Sequence, residues 1–365
     1  MNMPNMNPLL RLHATGQRIW LDNLSRTLLR EGLLQKLIAE DRIAGVTSNP
    51  SIFHKAVSES PYYREELQQL KTDASLSAEQ RYETLAVADI RGACDLLQPL
   101  HKKTGGDDGY VSLEVSPALA HDAAGTVSAG LRLKKAVDRD NLLIKVPATP
   151  EGLTAIEELI AQGCSVNVTL MFSLRHVRDV AEAYLRGIQR LVNAGGEPRK
   201  VKSVASLFLS RVDTLIDKRL EALGGEALAL RGRTAISLAK LAYQEALACF
   251  SSTAFGDLAK RGARAQTLLW ASTGTKNPAY SDVLYVESLI GANTINTVPD
   301  ATLAAFRDHG KAEETLTSDL DTAHDQFAAI KNLGIDLDAA GDQLQVEGLT
   351  LFEESFRQLL ALTSA

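Results

Sequence analysis

Short, mostly apolar runs rich in β-branched residues recur along this chain, and longer stretches with apolar positions at helical spacing separate them. The short runs fall at 18–22 (RIWLD), 43–48 (IAGVTS), 110–115 (YVSLEV) and 142–147 (LLIKVP). They continue at 165–171 (SVNVTLM), 201–208 (VKSVASLF), 266–271 (QTLLWA) and 293–298 (NTINTV). Their middles are apolar rather than strictly alternating. That is the pattern of strands covered on both faces in a parallel sheet. The helices between them are marked by their ends. Pro150 suits the first turn of a helix over 150–162, and Gly163 stops it. Ser173 caps 174–193, which ends at Gly195 and Gly196. Over 79–100, Tyr82, Ala86, Ile90, Ala93 and Leu97 form a 3.6-period stripe. Another helix is expected over 281–290, between Ser281 and Gly291. The 51–109 stretch predicts two helices rather than one long loop. The tail over 300–365 reads as helical, and Leu349, Leu351, Phe352, Phe356, Leu359 and Leu360 make its last part an amphipathic element that should dock on the body of the protein.

Eight strands, each followed by helix, predict an α/β fold: a single (β/α)8 TIM barrel with extra N- and C-terminal helices. One domain is expected over 1–365, with a barrel core at about 18–300 and a C-terminal helical extension at 300–365. The alternative is an open doubly wound sheet. No G-x-G-x-x-G follows the first strand, which weighs against the dinucleotide-binding form of that fold.

A net charge of −6 argues against a nucleic-acid partner. A few cations in a cleft still suffice for a small phosphorylated ligand. Cys94, Cys164 and Cys249 are far apart and show no C-x-x-C spacing, so they read as reduced thiols of a cytoplasmic protein. The 1–17 stretch is rich in Asn and Pro and lacks the charged start and apolar run of a signal peptide. No segment has the roughly 18 apolar residues that a membrane span needs. The N-x-S/T sequons at Asn23 and Asn167 therefore read as chance matches. The seven histidines show no metal-ligand spacing, and no metal is expected.

In a barrel, chemistry sits at the C-terminal ends of the strands. A polar side chain in a buried strand is costly unless it is paired. Lys145 is the only charge in Leu142-Leu143-Ile144-Lys145-Val146-Pro147-Ala148. Burial disfavours an ammonium group, and a neutral amine is what attack on a carbonyl needs. The competing reading is a lysine paired to a carboxylate. Glu114 late in its strand and Asp22 at the end of the first are candidate acids and bases, or else ion-pair partners and a helix cap. Thr47, Ser48 and Asn49 precede Pro50 and offer neutral donors and acceptors, or simple turn chemistry. Asn167 and Thr169 point to one side of their strand and suit sugar hydroxyls. Ser206 and Arg211 bracket Phe208 at the end of the sixth strand, and Ser272 and Lys276 follow the seventh. Small residues and cations in late loops make a phosphate site. A solvated loop with an exposed lysine is the alternative for Lys276.

These residues resemble those of the transaldolase family. The signature-like segments are Gly45-Val46-Thr47-Ser48-Asn49-Pro50-Ser51-Ile52-Phe53 and Leu143-Ile144-Lys145-Val146-Pro147-Ala148-Thr149-Pro150-Glu151-Gly152-Leu153. Asn167-Val168-Thr169-Leu170-Met171-Phe172-Ser173 and Ser206-Leu207-Phe208-Leu209-Ser210-Arg211-Val212-Asp213 fit as well. The resemblance implies a cofactor-free barrel enzyme of the non-oxidative pentose phosphate pathway. It would move a dihydroxyacetone unit from sedoheptulose 7-phosphate or fructose 6-phosphate to glyceraldehyde 3-phosphate or erythrose 4-phosphate. It implies Lys145 as the Schiff-base residue and Asp22 as the acceptor of the C4 hydroxyl proton. Glu114 and Thr169 would hold a water. Asn49 and Asn167 would hold the dihydroxyacetone hydroxyls, and Thr47 would orient the site. Ser206 and Arg211 resemble phosphate ligands. Ser272-Thr273-Gly274-Thr275-Lys276-Asn277-Pro278 stands where many transaldolases carry a second phosphate arginine. This is similar to a family branch in which Lys276 would take that role. Some members of that branch continue into a glucose-6-phosphate isomerase domain, for which a chain ending at Ala365 leaves no room. Sugar phosphates are the expected partners, and the protein is expected as a monomer or homodimer.

Two rivals differ in chemistry. A Schiff-base aldolase on the same barrel would release free dihydroxyacetone, and in the related fructose 6-phosphate aldolases a tyrosine serves near the position of Phe208. A phenylalanine has no proton to donate, which favours transfer. An inert sugar-phosphate-binding barrel would have no need of the costly Lys145 together with Glu114 and Asp22.

Overall fold

All eight expected strands form, and each pairs in parallel with its neighbour in sequence. They are β1 (Arg18–Leu21), β2 (Gly45–Val46), β3 (Tyr110–Glu114), β4 (Leu142–Pro147), β5 (Val166–Met171), β6 (Ser203–Phe208), β7 (Thr267–Ala271) and β8 (Thr294–Val298). β8 returns to pair with β1, so the sheet closes into a barrel with no free edge. The protein is described by a computed structural model covering residues 7–364. Residues 1–6 of the 1–17 stretch, and Ala365 of the tail, lie outside the described residues.

The uniform apolar character of the strands has the expected cause. Side chains alternate between the barrel interior and the helix layer, and both places are dry. On β4, for example, all six residues are buried. The second strand is shorter than the expected 43–48, because only Gly45 and Val46 complete the ladder on both sides. Beyond them the Asn49 side chain accepts from Ile52 N at 3.0 Å and starts the helix Pro50–Glu59. The turn-chemistry reading of 47–50 thus holds for Asn49.

Three helices rather than two fill the segment before β3: Pro50–Glu59, Arg64–Thr72 and Ala78–Lys103. Ser77 and Gln80 close a capping box on the last of these. The helices Pro150–Ala161 and Leu174–Asn193 form as the sequence suggests, and Ser173 accepts from His176 N. The helix expected over 281–290 does not form. Only Leu284–Glu287 makes a helical turn. The carbonyl of Leu289 accepts from Gln17 Nε2 and Trp270 Nε1, and Ile290 N donates to Thr315 Oγ1. Side chains take the backbone groups that a helix would have used.

The C-terminal helix Leu337–Thr363 lies across the mouth of the barrel. Its buried stripe includes Leu344, Gly348, Leu349, Phe352, Phe356 and Leu359. Leu351, expected on that stripe, faces solvent. Gln345 Nε2 donates to Ala148 O and Leu170 O at the ends of β4 and β5, and Ser355 Oγ meets Ser51 Oγ at 2.7 Å. Gly341 and Gly348 permit this approach. A Cβ would stand 2.8 Å from Ser173 Cβ at the first and 2.9 Å from Leu170 Cδ2 at the second.

Among the described residues no helix is long and apolar enough to cross a membrane. Cys94 and Cys164 are buried free thiols, and Asn167 is fully buried inside the barrel, so its sequon is out of reach of modification.

Candidate active site

The ends of the strands put their polar residues around one cavity of about 250 Å³. Asp22, Thr47, Asn49, Lys145, Thr169, Ser206, Phe208, Arg211, Ser272 and Lys276 all line it. Glu114 and Asn167, the other two residues singled out from the sequence, lie beneath it as register neighbours of Lys145 on either side. Seven further wall residues were not singled out from the sequence as site residues: Ser51, Ala271, Thr273, Gly274, Thr297, Pro299 and Phe352. Phe352 is the one with a legible signal, as a large apolar residue in the amphipathic tail. A larger cleft of about 560 Å³ opens at the other end of the barrel, but three of its basic side chains, Arg139, Lys200 and Arg264, are spent on Asp95, Glu197 and Asp107.

Lys145 is buried, and it is not alone. Its Nζ stands 3.3 Å from Glu114 Oε2, donates to Ser48 O at 3.2 Å and lies 5.7 Å from the centre of the Phe352 ring. The reading of a lysine paired to a carboxylate therefore holds: β3 brings Glu114 to it. Burial raises the pKa of Glu114, against the pull of the Lys145 charge. Asp22 is raised for the same reason, opposed by Lys145 and by a hydrogen bond from Thr47. Both shifts run in the direction that suits groups that must accept and return a proton.

Asp22 is no helix cap. Its Oδ1 accepts from Thr47 Oγ1 at 2.7 Å, and Thr47 Oγ1 meets Thr297 Oγ1 at 2.7 Å. The cap of the following helix is Ser25. Asn167 is held between Ser112 Oγ at 2.9 Å and Ser206 Oγ at 2.7 Å. Ser206 donates its proton to Asn167 Oδ1, so contact with a phosphate through that proton requires this bond to open. The Thr169 hydroxyl is buried with no hydrogen-bond partner among the described residues. Such groups are uncommon and mark a place for a water or a ligand. A bulge follows it: Val168 pairs with Ala205 but Met171 with Leu207, and Leu170 takes φ 59°. A left-handed leucine costs about 1–2 kcal/mol, and bulges beside active sites re-aim side chains.

Two cations face the cavity without a carboxylate. Arg211 lies in the first turn of the helix Ser210–Leu223 with its guanidinium 5.9 Å from the centre of the Phe208 ring. Burial lowers its pKa. Neither Arg211 nor the exposed Lys276 has an ion pair among the described residues. Ser272 Oγ meets Ser210 Oγ at 2.8 Å and so ties the end of β7 to the Arg211 helix. Charge left unpaired in a small polar cavity is an invitation to an anion. Among the described residues no cluster of three or more His, Cys, Asp or Glu could hold a metal.

Comparison with known proteins agrees in its direction. The family model described as Transaldolase/Fructose-6-phosphate aldolase matches residues 19–363. The chain is similar to the transaldolase of Thiobacillus denitrificans, 54% identical over 98% of this chain and 99% of that one. It is 50% identical to the transaldolase of Neisseria gonorrhoeae, with the same shares covered. It is 46% identical to that of Mycobacterium marinum, over 100% of this chain and 98% of that one.

Proposed function

Since the chain belongs to the transaldolase/fructose-6-phosphate aldolase family and is a transaldolase acting on sugar phosphates, we propose that Lys145 carries a dihydroxyacetone unit between them as a Schiff base. The observation that carries this reading is the 3.3 Å approach of Glu114 Oε2 to Lys145 Nζ at the floor of a cavity that Asp22 also lines.

The steps follow from these groups. Lys145 attacks the C2 carbonyl of fructose 6-phosphate or sedoheptulose 7-phosphate and loses water to form an imine. Glu114 moves the protons through a water held with the Thr169 hydroxyl. Asp22, fixed by Thr47, takes the proton of the C4 hydroxyl as the C3–C4 bond breaks. The bonding electrons enter the protonated imine and leave an enamine on Lys145. The aldose phosphate departs, and the three-carbon unit stays because it is covalently held. Glyceraldehyde 3-phosphate or erythrose 4-phosphate then enters, and the steps run in reverse. The Asn49 and Asn167 amides bind the dihydroxyacetone hydroxyls. Arg211 and Lys276 bind the phosphate, with Ser206 and Ser272 at its edge. No cofactor takes part.

Phe208 favours transfer over release. It brings a ring and no acidic proton to the cavity, so the enamine waits for an aldehyde. The protein works in the non-oxidative pentose phosphate pathway of the cytoplasm as one domain, monomeric or homodimeric, without a nucleic-acid partner. Its test is turnover of fructose 6-phosphate with erythrose 4-phosphate. Wild-type protein makes glyceraldehyde 3-phosphate only when the acceptor is present, and Lys145→Met, folded by circular dichroism, makes none. Near-normal turnover in that variant overturns the reading.

A further inference from the structure

The loop that carries Lys276 has no regular structure of its own between the end of β7 and Leu284. A cation on such a loop would bind phosphate weakly, because its position must be fixed at a cost in entropy on binding. This loop is fixed beforehand. Tyr280 Oη donates to Asp217 Oδ2 at 2.7 Å, and Tyr285 Oη donates to Asp213 Oδ2 at 2.8 Å. The remaining oxygen of each carboxylate accepts a backbone N–H: Gly232 N at 2.9 Å on Asp217 and Ala235 N at 2.8 Å on Asp213. The Tyr280 ring lies against Gly232, where a Cβ would come within 2.8 Å of it. Shorter bonds inside the loop, Thr275 Oγ1 to Ser281 O at 2.8 Å and Tyr280 N to Asn277 O at 3.1 Å, pass the constraint back towards Lys276.

The two carboxylates stand four residues apart, on one face of the helix Ser210–Leu223, whose first turn carries Arg211. The helix and the loop enclose a small cavity of about 190 Å³ beside the active site, and Lys276 lines both cavities. The tyrosines therefore join the element bearing one phosphate cation to the element bearing the other.

We propose that Tyr280 and Asp217, backed by Tyr285 and Asp213, are positioning residues that hold Lys276 at a set distance from Arg211, and that this clamp sets the enzyme's preference for phosphorylated over unphosphorylated aldehydes. The inference rests on the phosphate-binding role given to Lys276 above. None of the four residues lines the cavity in which Lys145 reacts.

Tyr280→Phe tests it, since it keeps the ring against Gly232 and removes only the hydroxyl. The acceptor is varied at saturating sedoheptulose 7-phosphate, and glyceraldehyde 3-phosphate is compared with unphosphorylated D-glyceraldehyde. In a ping-pong reaction kcat/KM for the acceptor does not contain donor binding. The expected result is a rise of roughly tenfold in KM for glyceraldehyde 3-phosphate. D-glyceraldehyde kinetics and kcat stay within about twofold, because the lost hydroxyl bond lies outside the reacting cavity. Lys276→Ala gives the same selective loss, and adding Tyr280→Phe to it costs nothing more. An equal loss for both aldehydes, or none for either, overturns the clamp. Lys276→Ala losing phosphate preference while Tyr280→Phe keeps it overturns the clamp alone. Lys276→Ala with unchanged KM overturns both the clamp and the phosphate role.

Discussion

Glu114 and Lys145 are register partners on adjacent strands, with Oε2 of one 3.3 Å from Nζ of the other. Side chains opposite each other on neighbouring strands must point the same way. The barrel therefore delivers a carboxylate to the lysine by pairing alone, without a loop. Both side chains are buried, and Phe352 of the C-terminal helix lies near the lysine in the cavity wall. Proton transfer between groups so placed needs no rearrangement of the backbone, only a bridging water near Thr169.

Glu114→Gln keeps the shape of this pair and removes its charge and basicity. It is expected to lower kcat by roughly 10²–10⁴-fold, the usual weight of a general acid–base group. KM for fructose 6-phosphate should change only a few-fold. Steady-state kinetics decide it, and an unchanged kcat would remove Glu114 from the proton path.

Arg211→Ala takes away a cation that has no other partner among the described residues. A charge-assisted hydrogen bond contributes about 1.5–3 kcal/mol. KM for phosphorylated donor and acceptor should therefore rise by roughly 10–100-fold, while kcat falls far less. Unchanged KM for both substrates would refute the role.

Phe352→Ala opens the cavity wall near Lys145. Truncating a buried phenylalanine costs about 3–5 kcal/mol, so the melting temperature should drop. Water reaching the enamine should also raise free dihydroxyacetone release relative to transfer, measured as product ratio with limiting acceptor. A lower melting temperature with the same ratio would make the helix a structural element only.

Asp213 gives a pH-dependent stability. Burial, with the nearby Asp217 charge, pushes its carboxyl from 3.8 up to about 7, against the hydrogen bonds from Ala235 N and Tyr285 Oη. The folded state then holds a proton that the unfolded chain gives up. Stability from this group is full below about pH 4 and is lost as pH rises through about 7. The loss is on the order of a few kcal/mol. Asp213→Asn keeps an acceptor for Ala235 and removes the ionisation. The melting temperature of the variant minus that of wild type should rise between pH 5 and pH 8. A difference independent of pH would contradict it.

Most of the fold was legible because its cause is local. Strand pattern, Pro150, Ser173 and the capping residues act within a few positions of themselves. The 281–290 stretch misled because its apolar residues are buried by partners far away, Gln17, Trp270 and Thr315. In the candidate site, Lys145 stood out as a charge in an apolar strand. Glu114 stood out as a charge late in its own strand, but its pairing with Lys145 did not, since register between strands leaves no mark in either one. Phe352, more than 200 residues further along the chain, reaches the cavity only through the docking of the last helix. Asn49 carried two readings, and its Oδ1 serves the helix cap while Nδ2 makes no hydrogen bond among the described residues. The tyrosines of the Lys276 loop gave no signal at all, because their partners lie on a different element.

The central claim is the covalent role of Lys145, and borohydride trapping tests it most directly. The protein is incubated with fructose 6-phosphate, reduced, digested and examined by mass spectrometry. The expected result is a three-carbon adduct on Lys145, which disappears when erythrose 4-phosphate is added before reduction. An adduct on another residue, or none under conditions of full turnover, would contradict the Schiff-base account.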